Sequence, residues 1–274
     1  MEIVFSYFKL IVLVAALLLS KAAYGQHVDS RVYTFGVVPQ QASEKLASLW
    51  IPFIQHLSKQ TGLNIEFATA PSIPEFEERL AEGVYDFAYM NPYHFTVFNE
   101  HPGYIAISRQ KNHEIRGIIV VSSGLEIESL EELAGKELAF PAPNAFAATL
   151  ITRAFLDKAA PGYTATFVNS HDSVYQSVAK GFFAAGGGIV RTLNEVSPEL
   201  QRELEVLWLS PGYTGHAFAA HPAVPESVRT LVQGGLIMMS SSEEGAFLIG
   251  SLGMEGLQAA IDSDWDDVRA LGLK

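Results

Sequence analysis

The sequence predicts an α/β protein built as two lobes, each a mostly parallel sheet flanked by helices. Three observations carry this. Short apolar runs alternate with stretches of helical periodicity. The alternation restarts near Gly117. The 274 residues, 49% of them hydrophobic, are enough for one large core or two smaller ones. One continuous doubly wound sheet is the alternative.

Residues 32–39, "VYTFGVVP", read as a strand. Residues 43–60 read as a helix, because Leu46, Leu49, Trp50, Phe53, Ile54 and Leu57 recur at spacings of three and four. Pro52 should kink that helix or restart it, and Gly62 should end it. Residues 63–70 are a second strand, 74–82 a short helix, and 85–90 a third strand. Asn91 then caps a helix with Pro92 in its first turn, and residues 104–110 return as a strand. In the second series, strands are expected at "IIVVSS", "KELAFPAP", "YTATFVNS" and "LEVLWLS". A short helix with a Ser129-x-x-Glu132 start lies between the first two. Helices are expected over 144–160 and 172–180, the second capped by Asp172 or Ser173. "FFAAGGGIV" reads as a strand giving way to Gly186-Gly187-Gly188, which permit a tight turn or a close approach of backbone to ligand. From Val224 the chain reads as mainly helical. The lobes then comprise residues 31–116 plus 215–274, and residues 117–213, with crossings near Arg116-Gly117 and Pro211-Gly212.

The net charge of −12 excludes a phosphate backbone as partner, since nucleic acid requires a basic stripe. A small anion is still open through a local field. Residues 10–19, "LIVLVAALLL", follow Lys9, and Ala23 and Gly25 are small. Residues 1–25 therefore read as a signal peptide cleaved before Gln26, with an uncleaved anchor as the alternative. No cysteine is present, so disulfides, thiolate metal sites and a lipoprotein anchor are excluded. Gly-x-Ser-x-Gly and His-Glu-x-x-His are both missing, and no Lys-Ser/Thr follows the triple glycine. No catalytic role, metal or cofactor is expected.

Open α/β sheets bind ligands beyond the carboxyl ends of their strands. That rule selects Tyr89, Asn91, Tyr93 and His94 in the first lobe, with Pro39, Gln40 and Gln41 at another edge. Core packing for Tyr89 and simple capping for Asn91 are the alternatives. Tyr93 and His94, adjacent on a helix, point about 100° apart. Asn144 to Ala148 form a helix start, where N–H groups hold anions. Asn144 is also a natural cap. Arg191 is the nearest cation, and Tyr213 and His216 flank the second crossing.

"YDFAYMNPYHF", "GKELAFPAPNAFAATL", "VNSHDSVYQSVAKG" and "LEVLWLSPGYTGHAFAAHPAVPESVR" follow one another in the order and spacing of a known family. Over residues 33–239 the chain resembles the periplasmic phosphate/phosphite/phosphonate-binding proteins of ABC transporters. The resemblance implies the type II periplasmic binding fold, with a ligand cleft between the lobes. It implies an exported protein that hands a small molecule to an ABC permease; a sensing role beside a membrane histidine kinase or cyclase is the alternative, and a monomer is expected. It places an oxyanion at Asn144, Ala145 and Phe146, with His171 pointing at it. Alanine and phenylalanine stand where the family has hydroxyl residues. Phe183 stands where it has an acid, so phosphonate is in doubt and a more apolar pocket is implied.

Overall fold

In the computed structural model, residues 31–273 are described; the expected signal peptide lies outside them. The first sheet starts with β1 (Val32–Val37), β2 (Asn64–Ala68) and β3 (Phe87–Met90), separated by α1 (Ser43–Thr61) and α2 (Ile73–Ala81). Helix α3 (Pro92–Glu100) and β4 (Ile105–Gln110) follow. The chain passes through β5 (Glu114–Ile115) into the second sheet, which holds β6 (Gly117–Ser122), β7 (Glu137–Phe140), β8 (Thr164–Phe167), β9 (Ala185–Ile189) and β10 (Leu204–Leu209). It returns through β11 (Tyr213–Thr214) and completes the first sheet with β12 (Ala217–Ala220) and β13 (Leu257–Ala259). Strands β5 and β11 pair antiparallel, Ile115 opposite Tyr213, so the two crossings form one ribbon.

The sheet orders are β13-β4-β12-β3-β1-β2 and β10-β6-β9-β7-β8. Parallel pairing is confined to β3-β1-β2 and to β9-β7-β8. The rest is antiparallel. Both sheets are thus mixed rather than mostly parallel. The strands bordering each crossing run back against their neighbours, because the chain leaves and re-enters each sheet at the same end, beside the ribbon. Strand β12 was not legible as a strand: Ala-Phe-Ala-Ala is buried throughout, so it shows no alternation, and alanine has little β preference.

Helix α1 runs unbroken through Pro52. The proline is on the exposed face, where water satisfies the carbonyl it leaves free. Gly62 ends the helix at φ 72°, a conformation that costs glycine little. The three glycines lie inside buried β9, not in a turn. A Cβ at Gly186 would lie 2.4 Å from Val174, at Gly187 2.0 Å from the Ala148 carbonyl, and at Gly188 2.3 Å from the Tyr175 hydroxyl. Only glycine lets two helices press onto this strand from opposite faces.

The second lobe packs separate clusters on its two faces, Ile118 and Val120 on one and Ile119 and Val121 on the other, as alternation along β6 requires. Phe183 packs with the first of these and lines none of the cavities described below, contrary to its expected place in an apolar ligand pocket. The first-lobe core is larger, and it absorbs Ala145, Phe146, Ala147, Ala148 and Ile189 from the second lobe. The lobes are therefore in apolar contact.

Candidate functional site

The expected helix over 144–160 begins with a π-helical turn, Phe146–Ile151, and continues as α4 (Thr152–Ala159). Asn144 does not cap it. Its side chain instead crosses between lobes, donating to Glu77 Oε2 at 3.1 Å. Asn91 does cap α3, accepting from the His94 N–H at 2.8 Å. Its amide also donates to the Asn144 carbonyl at 3.2 Å. Glu77 Oε1 lies 2.9 Å from His94 Nε2. A carboxylate only accepts, so that nitrogen carries the proton.

A second set of bonds joins the lobes on the other side of the tip. The His171 N–H donates to the Gln40 carbonyl at 3.1 Å. The Ala42 N–H donates to Asp172 Oδ2 at 3.2 Å, and Lys45 Nζ to the Glu195 carbonyl at 2.6 Å. Arg191 donates to Gln40 Oε1. Helix α5 (His171–Ala179) is capped by Ser170, which leaves Asp172, expected as a cap, free for this role.

Ala145, Phe146, Ala147 and Ala148 are buried. With Asn91, Gln40, His171, Ile115 and Ile189 they line a void of only about 10 Å3, room for at most one water. Phe146 packs edge-on to Tyr213 at 5.7 Å. A Cβ at Gly117 would sit 2.2 Å from the Ala147 carbonyl, so the tip is pressed onto the crossing itself. His171 Nδ1 lies 3.1 Å from Thr192 Oγ1, while Nε2 is buried without a partner among the described residues. Burial, helped by the Arg191 charge, pushes the His171 pKa down to about 3, so the ring is neutral.

The larger cavity, about 150 Å3, lies beside the β5–β11 ribbon. Tyr89, Gln110, His113, Glu114, Ile115, Arg116, Ile189, Val190, Arg191 and His216 form its wall. Tyr89 and Gln110 arrive from β3 and β4, Ile189 from β9, and Val190 and Arg191 from α6 (Val190–Asn194). It shares His113, Glu114 and Arg116 with an open polar groove of about 500 Å3. His216 stacks on Tyr89 at 4.9 Å and 13°, and Arg191 lies over the Tyr89 ring at 5.9 Å. Burial holds Tyr89 above the usual tyrosine range. Burial, and then Arg191, holds His216 well below the usual histidine range.

Among the sequence-selected residues, Tyr89 and Arg191 line the larger cavity; Asn91, Ala145, Phe146 and His171 line the small void. Tyr93 is half-buried against the first-lobe core, and Asn144 sits in the bond to Glu77. Sequence reasoning missed Glu77, Gln110, His113 and Ile189. Gln110 and His113 precede the first crossing, a signal that was available. Glu77 resembles any solvated helix residue and offered none.

The family described as "ABC transporter, phosphonate, periplasmic substrate-binding protein" matches residues 35–265. No curated protein sequence matches. A structure of PhnD1 from Prochlorococcus marinus (MIT 9301) in complex with methylphosphonate aligns at TM-score 0.80 and 19% identity, covering 88% of this chain and 97% of that one. A binding protein component of an ABC phosphonate transporter from Pseudomonas aeruginosa aligns at TM-score 0.81 and 18% identity, covering 89% and 86%. The Xanthomonas citri protein XAC2383 bound to chloride ion aligns at 0.67 and 14%, covering 88% and 99%. These likenesses establish the two-lobe periplasmic binding fold.

Proposed function

This chain belongs to the periplasmic substrate-binding family of phosphonate ABC transporters, and we propose that it binds a small solute between residues 31–116 plus 215–274 and residues 117–213, closing about the β5–β11 ribbon. The closed form is what a cognate ABC permease would recognise. The observation that carries this reading is the 150 Å3 cavity beside the paired crossings, with a lobe on each side contributing wall residues. Two crossing segments permit rotation about a hinge while keeping the register of both sheets. The hydrogen bonds that Asn91, Asn144, Ala42 and Lys45 donate, and those that Gln40 accepts from His171 and Arg191, are the ones that such closure would make.

On this reading Tyr89 and Arg191 contact the solute, and Asn91, Asn144 and His171 hold the closed arrangement. The role is binding without chemistry, by a monomer exported after cleavage near Gly25. A neutral His216 and a Tyr89 that resists ionisation suit hydrogen bonding better than proton transfer. The test is a thermal-shift screen against oxyanions, amines and osmolytes, followed by small-angle scattering with each hit. Mass action raises the melting temperature with any true ligand. A hit that closes the cleft reduces the radius of gyration. Hits whose scattering stays unchanged, and whose binding survives Tyr89→Ala, would place binding outside the cleft and end the reading.

A further inference from the structure

We propose that Gln41 and Glu195 form the latch of closure, the amide of the first lobe pairing with the carboxylate of the second as the lobes complete their rotation. They are positioning residues for solute capture. This rests on the reading that the protein binds a solute between its lobes.

Glu195 is the C-cap of α6 and projects against the first lobe. Its side chain is 16% exposed, and neither carboxylate oxygen has a hydrogen-bond partner among the described residues. Three first-lobe residues form the socket around it. The Lys45 ammonium donates to the Glu195 backbone carbonyl at 2.6 Å, so it is engaged by the main chain. A Cβ at Gly253 would stand 3.1 Å from Glu195 Oε1 and 3.3 Å from Arg191 Cγ, so glycine leaves the slot open there. Gln41 is 5% exposed, and its amide lies beside the carboxylate. Its Nε2 is likewise without a partner among the described residues.

A donor and an acceptor are thus buried side by side, one from each lobe, and unbonded. Leaving either unmet is costly, and one bond between them relieves both. The charges around Glu195 do not replace that bond. Arg191 pairs with it at 3.8 Å, beyond hydrogen-bond distance, so the carboxylate has a counter-charge and still lacks a donor. Burial pushes the Glu195 carboxyl up, against Arg191, Lys45 and the Gln41 amide, while Asp172 adds to the rise. The residue after Gln41 already bonds the second lobe, Ala42 to Asp172, which holds the pair within reach. Helix α6 also joins the latch to the cavity. Arg191 stands in the cavity wall about one turn before Glu195, so a solute that draws Arg191 inward carries Glu195 with it.

The chain has no cysteine, so Glu82→Cys and Lys158→Cys, at exposed positions on the two lobes, accept one spin label each. Double electron–electron resonance then reads the separation of the lobes, free and with methylphosphonate, in the parent, Gln41→Leu, Glu195→Leu and the double variant. Each single variant should lower the closed-to-open ratio about fivefold to tenfold, because the group left behind is buried without a partner. The double variant removes both groups and should fall no further than either single one. Loss of the Arg191 pairing is common to both proteins that carry Glu195→Leu, so the cycle cancels it. Gln41→Glu, of the same shape without a donor, should open the lobes further than Gln41→Leu. Additive single effects, ratios unchanged from the parent, or a parent with no closed component in either condition overturns the latch and leaves solute binding intact. A coupled cycle in the free protein, with separations that no solute of the screen changes, supports the latch and removes the solute-binding reading alone.

Discussion

Replacing Asn144 by alanine tests whether the bond to Glu77 holds the lobes together. The amide donates to a carboxylate at 3.1 Å, and Glu77 is 17% exposed. A hydrogen bond to a charged group contributes about 1.5–3 kcal/mol net, equivalent to roughly 10- to 150-fold in an equilibrium constant. Partial solvent access to Glu77 favours the lower end. The closed population should therefore fall about tenfold relative to the open one, and apparent ligand affinity by up to that factor. Folding should be little affected, because Asn144 caps no helix and Glu77 keeps His94. The Asn91 bond also survives, since it ends on the Asn144 backbone carbonyl. Small-angle scattering of the free protein reads the opening, and calorimetry reads the affinity. Asn144→Asp, which sets a second carboxylate against Glu77, should open the protein further. If Asn144→Ala leaves both scattering and affinity at wild-type values, the bond does not bias the lobes and the closure argument fails.

Gly187→Ala should destabilise by about 3 kcal/mol or more in urea unfolding, because the new methyl meets the backbone carbonyl of Ala148 at 2.0 Å and neither element has room to shift; a loss under about 1 kcal/mol would show that the sheet yields. His171 is neutral in the folded protein, its pKa pushed down to about 3 by burial and the Arg191 charge, whereas the unfolded chain takes up its proton near 6.5. The unfolded state then binds more protons between those values, so this stability is complete above about pH 6.5 and is lost as pH falls, by roughly 1.4 kcal/mol per unit. His171→Gln should flatten the decline of melting temperature below pH 6.5, and an unchanged slope would refute the assignment. Expressed with its full N-terminus in a secreting host, the protein should be recovered with Gln26 first by intact-mass spectrometry; recovery with residues 1–25 attached would contradict cleavage.

Much of the fold was legible. The spacing of Leu46, Trp50, Phe53 and Leu57 placed α1, Gly62 placed its end, and Asn91-Pro92 placed the start of α3, because each is a local rule that acts within a few residues. The restart at Gly117 coincides with the start of β6 for the same reason. What failed was nonlocal. Gly186 to Gly188 read as a turn or a close approach to ligand, since nothing nearby shows that Val174, Ala148 and Tyr175 close on them. Strand β12 was lost because burial on both faces erases alternation. Asn144 read as a cap because capping is local, and its true partner, Glu77, lies 67 residues earlier.

By itself, then, the sequence determined the alternating elements, the acidic charge and the apolar residues at the helix tip, since all of these depend on composition and short-range periodicity. Only the tertiary structure decided that the tip is filled, that the open space lies beside the crossings, and that Arg191 stands there, ion-paired with Glu195. Those facts depend on which distant side chains share one volume, and a volume is settled by packing among all the elements together.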